Sequence, residues 1–339
     1  MNLYEQQESN RRRTWLIMAI FIVFLAFLGF GFDYYYLGYD PWLPPHDRSF
    51  PSPFPFPLAT VASFCLACYW SAWGLYGGDQ AVLSSASAVR VYPGTPDPKK
   101  QQLLNVVEEM SIAGGMPLPQ VYLIADTDPN AFATGRDPQH ASVTVTQGLL
   151  DKLNREELQG VIGHEMSHVR NLDIRLMTVV AALVGAVVLL SDWALRAMRS
   201  GAGRRSSRSS RKGGAGALVL ILWLLTLLLA PILARLLAMA VSREREYLAD
   251  ASGAELTRNP AALASALKKI EMDVAPTVSI KSGTAHLCIA DPMGRKIGLR
   301  EGFWADLFGT HPPMHLRISK LMQMAYQASP AGPQSEPRA

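Results

Sequence analysis

Two histidines four positions apart, with a glutamate directly after the first, form the pattern in this chain best suited to chemistry. They are His164, Glu165 and His168, in the run GVIGHEMSHVRNLD. On a helix, side chains four apart share one face, about 5–6 Å between Cβ atoms, so both imidazoles can reach one tetrahedral zinc ion. Glu165 projects beside that face and can take a proton from a water on the metal. Chance produces such a motif in a chain of this length with odds on the order of one in a hundred.

A catalytic zinc needs a third protein ligand and one open position for water. Glu246 and Asp250, in SREREYLAD, lie four apart and so share a helix face. One carboxylate can bind the metal while the other accepts the distal N–H of a ligand imidazole. The residues alone leave a second interpretation equally open, in which this run is a solvated helix end stabilised by surface salt bridges.

Several motifs together closely resemble the HtpX-type membrane metallopeptidases, which are relatives of the CAAX prenyl endopeptidases. They are HEMSHVRNLD, SREREYLADASGAELTRNPAALASALKKI and THPPMHLRI, with NAFATG upstream, and they occur in the same order. The resemblance covers nearly the whole chain. It implies one Zn²⁺ per chain, Glu165 as the catalytic base and Asp250 as the partner of a ligand histidine. The metal ligands that it implies are His164, His168 and Glu246.

The resemblance also implies residues that handle the substrate. It places His311 beside the oxyanion of the reaction, with Arg317 supporting it, and Pro312 and Pro313 stiffen the loop that presents His311. The NAFATG element and the strand at 142–146 resemble a rim along which an extended peptide adds as a strand. The substrate-binding residues implied there are Asn130, Ala131 and Phe132.

The elements around the HExxH motif can be read from local patterns. Asn154 followed by Glu157 is a capping box, which predicts a helix running to about residue 172. The runs at 119–126 and 142–148 are β-branched or alternating and predict two strands. The polar stretch 126–135 between them, with its Pro and Gly, is interpreted as a turn. Helical spacing of apolar residues at 101–113 predicts a further helix before Gly114 and Gly115.

Hydrophobic segments indicate a membrane protein. Residues 14–32 are uncharged and, as a helix, span about 30 Å, and a second span is predicted at 58–76. Stretches 176–195 and 213–241 form a hydrophobic hairpin around a basic Arg/Ser loop, and the residues leave open whether both cross. Three arginines directly before the first span place the N-terminus in the cytoplasm by the positive-inside rule.

The predicted fold is mainly α with a small β-sheet, in a multi-span membrane protein with a zincin-like HExxH metalloprotease domain. An N-terminal transmembrane hairpin is followed by a protease domain interrupted by the second hairpin, and a disordered tail ends the chain. The predicted boundaries are 1–78, 79–175, 176–241, 242–326 and 327–339.

Composition restricts the class of partner. The chain has 339 residues, 49% hydrophobic and 18% charged, with a net charge of +4. The charged fraction is low for a soluble protein and the apolar fraction too high for a disordered one. Seven basic residues against one acidic residue fall within 191–216. The basicity therefore belongs to one segment, which argues against a nucleic-acid face.

These observations predict a zinc-dependent endopeptidase of the inner (plasma) membrane. Its expected substrates are membrane or misfolded proteins, cut at the cytoplasmic face of the lipid bilayer in quality control and stress response. An intramembrane protease is disfavoured because charged residues flank the motif at Glu156, Glu157, Arg170 and Asp173. A catalytically silent zinc-binding membrane scaffold remains the alternative.

Overall fold

The computed structural model describes residues 3–35, 37, 39, 56–199, 243–273, 287–290 and 312–328. The described part is mostly helical with one small sheet, which confirms the expected mixture. The predicted hydrophobic stretch 213–241, His311 and all of the predicted tail beyond residue 328 lie outside the described residues.

Two helices in the described part are long and apolar enough to cross a membrane. They are α1 (Leu3–Tyr35) and α2 (Leu58–Ser85). The 33 residues of α1 extend over about 50 Å, so its polar N-terminal end reaches well beyond a hydrocarbon core of about 30 Å. Asp33 joins the two helices at their other end, since its carboxylate accepts from the backbone N–H groups of Ala59 (2.9 Å) and Thr60 (2.7 Å).

A third helix, α6 (Asp173–Arg199), packs against α1 and α2 through an apolar cluster. The cluster joins side chains such as Phe21, Leu75 and Val180. The first turn of α6 follows directly on the HExxH helix. The two candidate membrane helices are therefore linked to the HExxH helix through α6.

The sheet has four strands in the order β1-β2-β4-β3. The strands are β1 (Val89–Arg90), β2 (Gln120–Ile124), β3 (Ala131–Gly135) and β4 (Ala141–Thr146). The predicted strands correspond to β2 and β4, which pair in parallel, whereas β1 with β2 and β3 with β4 are antiparallel. A short 3₁₀ turn, Pro138–His140, connects β3 to β4.

The interpretation of 126–135 as a turn was wrong for its second half, since Ala131–Gly135 is strand β3. All five residues of β3 are buried, so packing beneath the HExxH helix and α6 stabilises a segment that shows no strand pattern of its own. The expectation that a peptide adds at 142–146 was also wrong. Strand β4 has β2 on one side and β3 on the other, so it offers no edge.

In the described ranges, six further helices surround this sheet. They are α3 (Pro98–Gly114), α4 (Gln147–Lys152), α5 (Arg155–Arg170), α7 (Arg243–Thr257), α8 (Pro260–Glu271) and α9 (Met314–Ala328). The capping box at α5 is confirmed, with Glu157 N–H donating to Asn154 at 2.9 Å and Asn154 N–H donating to Glu157 at 2.9 Å. Helix α3 ends at Gly115, whose φ of 61° is the left-handed conformation that favours glycine.

Candidate metal centre

The HExxH motif lies on the buried face of α5, between the sheet, α7 and α6. His164, Glu165 and His168 are 0%, 1% and 4% exposed. Helix α5 is held firmly in place, because its N-terminus is capped and it packs against α3, α7, α8 and β3. Polar side chains buried this deeply need partners, so their contacts show what the site is built to hold.

Helix α7 brings the carboxylate of Glu246 to the two imidazoles. The Nε2 atoms of His164 and His168 are 3.3 Å apart, Glu246 Oε2 lies 3.7 Å from the first and Glu246 Oε1 lies 3.6 Å from the second. With one ligand atom from each residue, the three atoms lie within 4.8 Å of one another. With metal–nitrogen bonds of about 2.0–2.1 Å, two ligands of a tetrahedral ion are about 3.3 Å apart. The three side chains therefore present nearly the spacing of one face of such a polyhedron, with the fourth corner left for another ligand.

Each imidazole has a carboxylate behind it. His164 Nδ1 lies 2.9 Å from Asp250 Oδ1, and His168 Nδ1 lies 3.0 Å from Asp173 Oδ2. When Nδ1 carries the proton and donates to a carboxylate, Nε2 keeps its lone pair and faces the centre. Both histidines are thus held in the orientation that a metal ligand requires.

The two imidazoles differ electrostatically. Burial lowers the pKa of His164, and this outweighs the hydrogen bond that its Nδ1–H donates to Asp250. Burial acts in the same direction on His168, but the bond to Asp173 and the charge of Glu246 outweigh it and raise the pKa of His168 to about 9. The surplus of negative charge around His168 also suits the binding of a cation.

Glu165 is a buried group that the described part of the chain satisfies poorly. The Ala133 backbone lies close to its carboxylate, but neither oxygen accepts a hydrogen bond of good geometry there. Burial raises the pKa of Glu165 to about 7, although the positive charge of a protonated His168 acts against it. A carboxyl group with this pKa and with both oxygens unsatisfied is suited to exchanging a proton with a water molecule near neutral pH.

Arg317 supports the site from α9. It is fully buried and donates from Nε and Nη2 to the two oxygens of Asp250, at 2.8 and 2.7 Å, while Nη1 donates to the Ile289 carbonyl at 3.0 Å. Nη1 also lies 3.3 Å from Glu246 Oε2. Despite the cost of burial, the Asp250 charge raises the pKa of Arg317, and Arg317 holds that of Asp250 down at about 2. The structure thus places Arg317 on the carboxylates of the site.

The residues expected at the substrate rim have buried side chains. Asn130 is 0% exposed and donates to the Ala290 carbonyl at 3.1 Å. Phe132 is 2% exposed and packs among apolar residues of α2 and α6. The outer edge of β3 is partly paired already, because the Ile289 N–H donates to the Ala131 carbonyl at 2.9 Å. Only the backbone of this segment is placed to meet a peptide.

Sequence reasoning missed Asp173 as a partner of the site. It follows His168 by five positions, which is not a spacing that keeps two residues on one helix face. The chain turns between α5 and α6 at Leu172, whose φ of 59° is left-handed, and this turn directs Asp173 back to His168. The available signal was the run NLD at the end of the helix, since Asn and Asp are typical of such turns.

The residues present fit a bound transition metal. Two imidazole nitrogens and a carboxylate oxygen form a donor set suited to zinc and similar ions. In the described part of the chain, these three side chains form a group that could hold one metal ion, because their ligand atoms all lie within 4.8 Å of one another. The carboxylates behind the imidazoles and the unsatisfied Glu165 agree with this assignment.

Comparison with known proteins gives matches over most of the chain. The model of peptidase family M48 matches residues 97–325. A protein named Protease HtpX homolog from Thermoanaerobacter pseudethanolicus is 41% identical over 322 residues, which covers 95% of this chain and 98% of that protein. One of the same name from Tropheryma whipplei (strain Twist) is 44% identical over 326 residues, or 96% and 99% of the two chains.

A solved structure, the crystal structure of S. mikatae Ste24p, aligns with a TM-score of 0.46 and 15% identity over 79% of this chain and 59% of that one. This similarity is too low to support conclusions about function. The match to the family model covers more than half of the chain, and the relatives match over nearly its whole length. The chain therefore belongs to peptidase family M48, a family of metallopeptidases.

Proposed function

We propose that this protein is a membrane-bound zinc endopeptidase that cuts membrane or misfolded polypeptides at the cytoplasmic face of the membrane, as part of membrane protein quality control. One observation carries the proposal. The nitrogens of His164 and His168 and the carboxylate of Glu246 are spaced as three ligands of one ion, and the buried Glu165 carboxylate beside them accepts no hydrogen bond of good geometry in the described chain.

In this proposal His164, His168 and Glu246 hold one Zn²⁺ per chain. Bound zinc would supply Lewis-acid polarisation of the scissile carbonyl and a water of lowered pKa. Glu165 accepts the proton of the attacking water and passes it to the leaving amine, and a pKa of about 7 suits a group that must both take up and release a proton.

The remaining polar residues hold these groups in place. Asp250 and Asp173 keep the imidazole Nε2 atoms directed at the centre, and Arg317 fixes Asp250 through two hydrogen bonds. We also propose, from the family resemblance, that His311 stabilises the oxyanion formed from the substrate carbonyl. The contacts of Arg317 support a role in positioning the metal ligands rather than in touching that oxyanion.

Substrate binding is proposed at the outer edge of β3. The Thr146 N–H donates to the Asn130 carbonyl, so residues of even number in β3 pair with β4 and those of odd number point their backbone groups outward. Ala131 and Gly135 already use outward groups, on Ile289 and Thr178. We propose that an extended peptide binds along the outward backbone of Ala133, which lies between these two residues and beside Glu165.

The position of the site relative to the membrane supports substrates at the membrane surface. The polar end of α1 contacts the turn that follows the HExxH helix, through Gln7 and Asn10. The metal centre therefore lies on the same side as Arg11, Arg12 and Arg13, which the positive-inside rule assigns to the cytoplasm.

The variant Glu165→Gln tests this function in the full chain, purified in detergent and reconstituted in vesicles. Zinc content should stay near one per chain, while cleavage of an unfolded membrane protein and of the chain itself should fall by at least about 100-fold. Glu156→Gln, at an exposed position of the same helix, is the matched control. Cleavage that survives in Glu165→Gln would refute the assigned base. A wild-type chain that binds zinc but cuts nothing would favour the silent scaffold.

A further inference from the structure

The N-terminal end of α1 is built into the junction between the HExxH helix and α6. Gln7 Nε2 donates to the Arg170 carbonyl at 2.7 Å, and Asn10 Nδ2 donates to the Asn171 carbonyl at 3.0 Å. Asn10 is 1% exposed although it lies on a helix whose continuation is a candidate membrane span. Burying an amide there is favourable only because it is hydrogen-bonded.

Asn10 also reaches the carboxylate that orients a proposed metal ligand. Its Nδ2 donates a second hydrogen bond, of 2.6 Å, to Asp173 Oδ1. The other oxygen of Asp173 faces His168 Nδ1 at 3.0 Å. Asn10, Asp173 and His168 therefore form a continuous chain of buried hydrogen bonds that runs from the first membrane helix to the metal centre.

The group that donates to Asp173 from α1 is the neutral amide of Asn10, and its lack of charge affects how Asp173 interacts with His168. Arg245 Nη1 lies 4.0 Å from the same Asp173 oxygen, too far for a hydrogen bond, and its buried guanidinium has no hydrogen-bond partner in the described chain. Without Asn10, this cation could move onto Asp173 and draw the carboxylate from His168. Since Arg245 directly precedes Glu246, the same movement would disturb a second ligand. Asn10 keeps the Asp173 charge available to the imidazole.

We propose that Asn10 is a positioning residue for the metal centre, which couples the first membrane helix to His168 through Asp173. The inference rests on the proposed function, because it takes His168 to be a metal ligand. It adds that the orientation of one ligand depends on a residue outside the part of the chain that matches the family model, which begins at residue 97.

Zinc affinity of the full-length chain in detergent, measured by competition with a chromogenic chelator, tests the coupling. Loss of a direct partner of a ligand histidine costs about 10- to 100-fold in affinity, so Asn10→Leu, one bond further out, should weaken zinc binding about 5- to 10-fold. The d–d absorption of bound Co²⁺ should shift as well. Gln7→Ala removes a neighbouring contact of α1 without touching Asp173 and should change the zinc affinity less than twofold.

A double mutant separates coupling from mere docking of the helix. Asp173→Ala removes the target of Asn10, so adding Asn10→Leu to it should weaken zinc binding no further. An unchanged affinity in Asn10→Leu, an equal loss in Gln7→Ala, or additive losses in the double mutant would each overturn the inference. Should Asn10→Leu fail to fold, Asn10→Ala removes the amide without adding apolar bulk. A wild-type chain that binds neither ion would instead refute the proposed function.

Discussion

Gly253 of α7 lies directly against the backbone of His164. A Cβ atom at Gly253 would come within 2.8 Å of the His164 nitrogen and 3.0 Å of its Cα. The two helices are thus in backbone contact one residue before Glu165, and this contact fixes how far Glu246, on the same helix as Gly253, stands from the imidazoles. The absence of a side chain at one position therefore helps to set the geometry of the ligand triangle.

The first prediction is that Gly253→Ala damages the metal centre. The added methyl group meets backbone atoms, which cannot rotate away, so α7 must shift, at a cost of about 1–3 kcal/mol in the free energy of unfolding. Zinc affinity, measured by chelator competition, should fall at least about tenfold, because Glu246 moves with the helix.

Gly185→Ala is the matched control for this change. Gly185 is also within a helix, but a Cβ there would meet no atom of the described residues within 4 Å. This substitution should leave zinc affinity unchanged, and it should not lower the thermal stability, since alanine is the better helix former. If both variants bind zinc like the wild type, the helix contact does not control the site.

The parts of the site that could be predicted from the sequence are those encoded locally. The spacing within HExxH and the capping box at Asn154 both depend on neighbours within one helical turn, and the structure has them on one helix, α5. Strand β3 could not be predicted in this way. Its residues are small apart from Phe132 and mixed in polarity, and pairing with β4, together with burial beneath α5 and α6, makes them a strand.

The second prediction concerns Glu246→Ala, which should abolish stoichiometric zinc binding. Two imidazoles remain, but a structural or catalytic zinc site requires at least three protein ligands. Zinc content after gel filtration, measured by atomic absorption, should fall from about one per chain towards zero while circular dichroism shows a folded protein.

Glu244→Ala provides the comparison for Glu246. Glu244 occupies the same first turn of α7, and its side chain is exposed. The substitution Glu244→Ala removes one negative charge from the same helix end without removing a metal ligand, so the zinc content should stay near one per chain. Retention of the metal in Glu246→Ala would move the third ligand elsewhere in the chain.

The third prediction is that Arg317→Lys weakens the protein although the charge is kept. The guanidinium donates to both oxygens of Asp250 and to Ile289, and a lysine ammonium cannot reproduce this planar fork. Breaking a buried ion pair outright costs about 3–5 kcal/mol, so partial loss should cost about 2 kcal/mol and lower the melting temperature by several degrees.

Gln323→Ala, at an exposed position of the same helix, controls for the effects of changing α9. It should melt within about 1 °C of the wild type, as expected for a surface substitution. A melting temperature of Arg317→Lys equal to that of the control would show that one hydrogen bond to Asp250 is enough.

Asp173 and Asn10 show why the rest of the site was not predictable from local patterns. Asn10 lies 163 positions before Asp173. The first turns of α1 contain several polar residues, and the sequence of this helix does not indicate which of them contacts the Asp173 carboxylate. Asp173 itself comes into position through a left-handed turn at Leu172, a backbone conformation that bulky residues adopt only when the surrounding fold imposes it. Long-range contacts of this kind follow from packing.

The fourth prediction is a pH-dependent contribution of Glu157 to stability. Burial alone would raise its pKa, but Lys269, the Asn154 N–H and Ser265 together lower it below the ordinary value of 4.5. A carboxyl whose pKa falls on folding stabilises the protein fully above its unfolded pKa, and this stabilisation is lost as the pH falls through the folded pKa. Glu157→Gln should therefore lose roughly 1–2 kcal/mol in the free energy of unfolding at pH 7, and the difference in stability from the wild type should close between about pH 5 and pH 3.

Thermal unfolding at several pH values measures this gap, with the exposed Glu156→Gln as the control that should show little of it at any pH. A constant gap across that range would mean that Glu157 acts through its shape and neutral hydrogen bonds, and not through its charge.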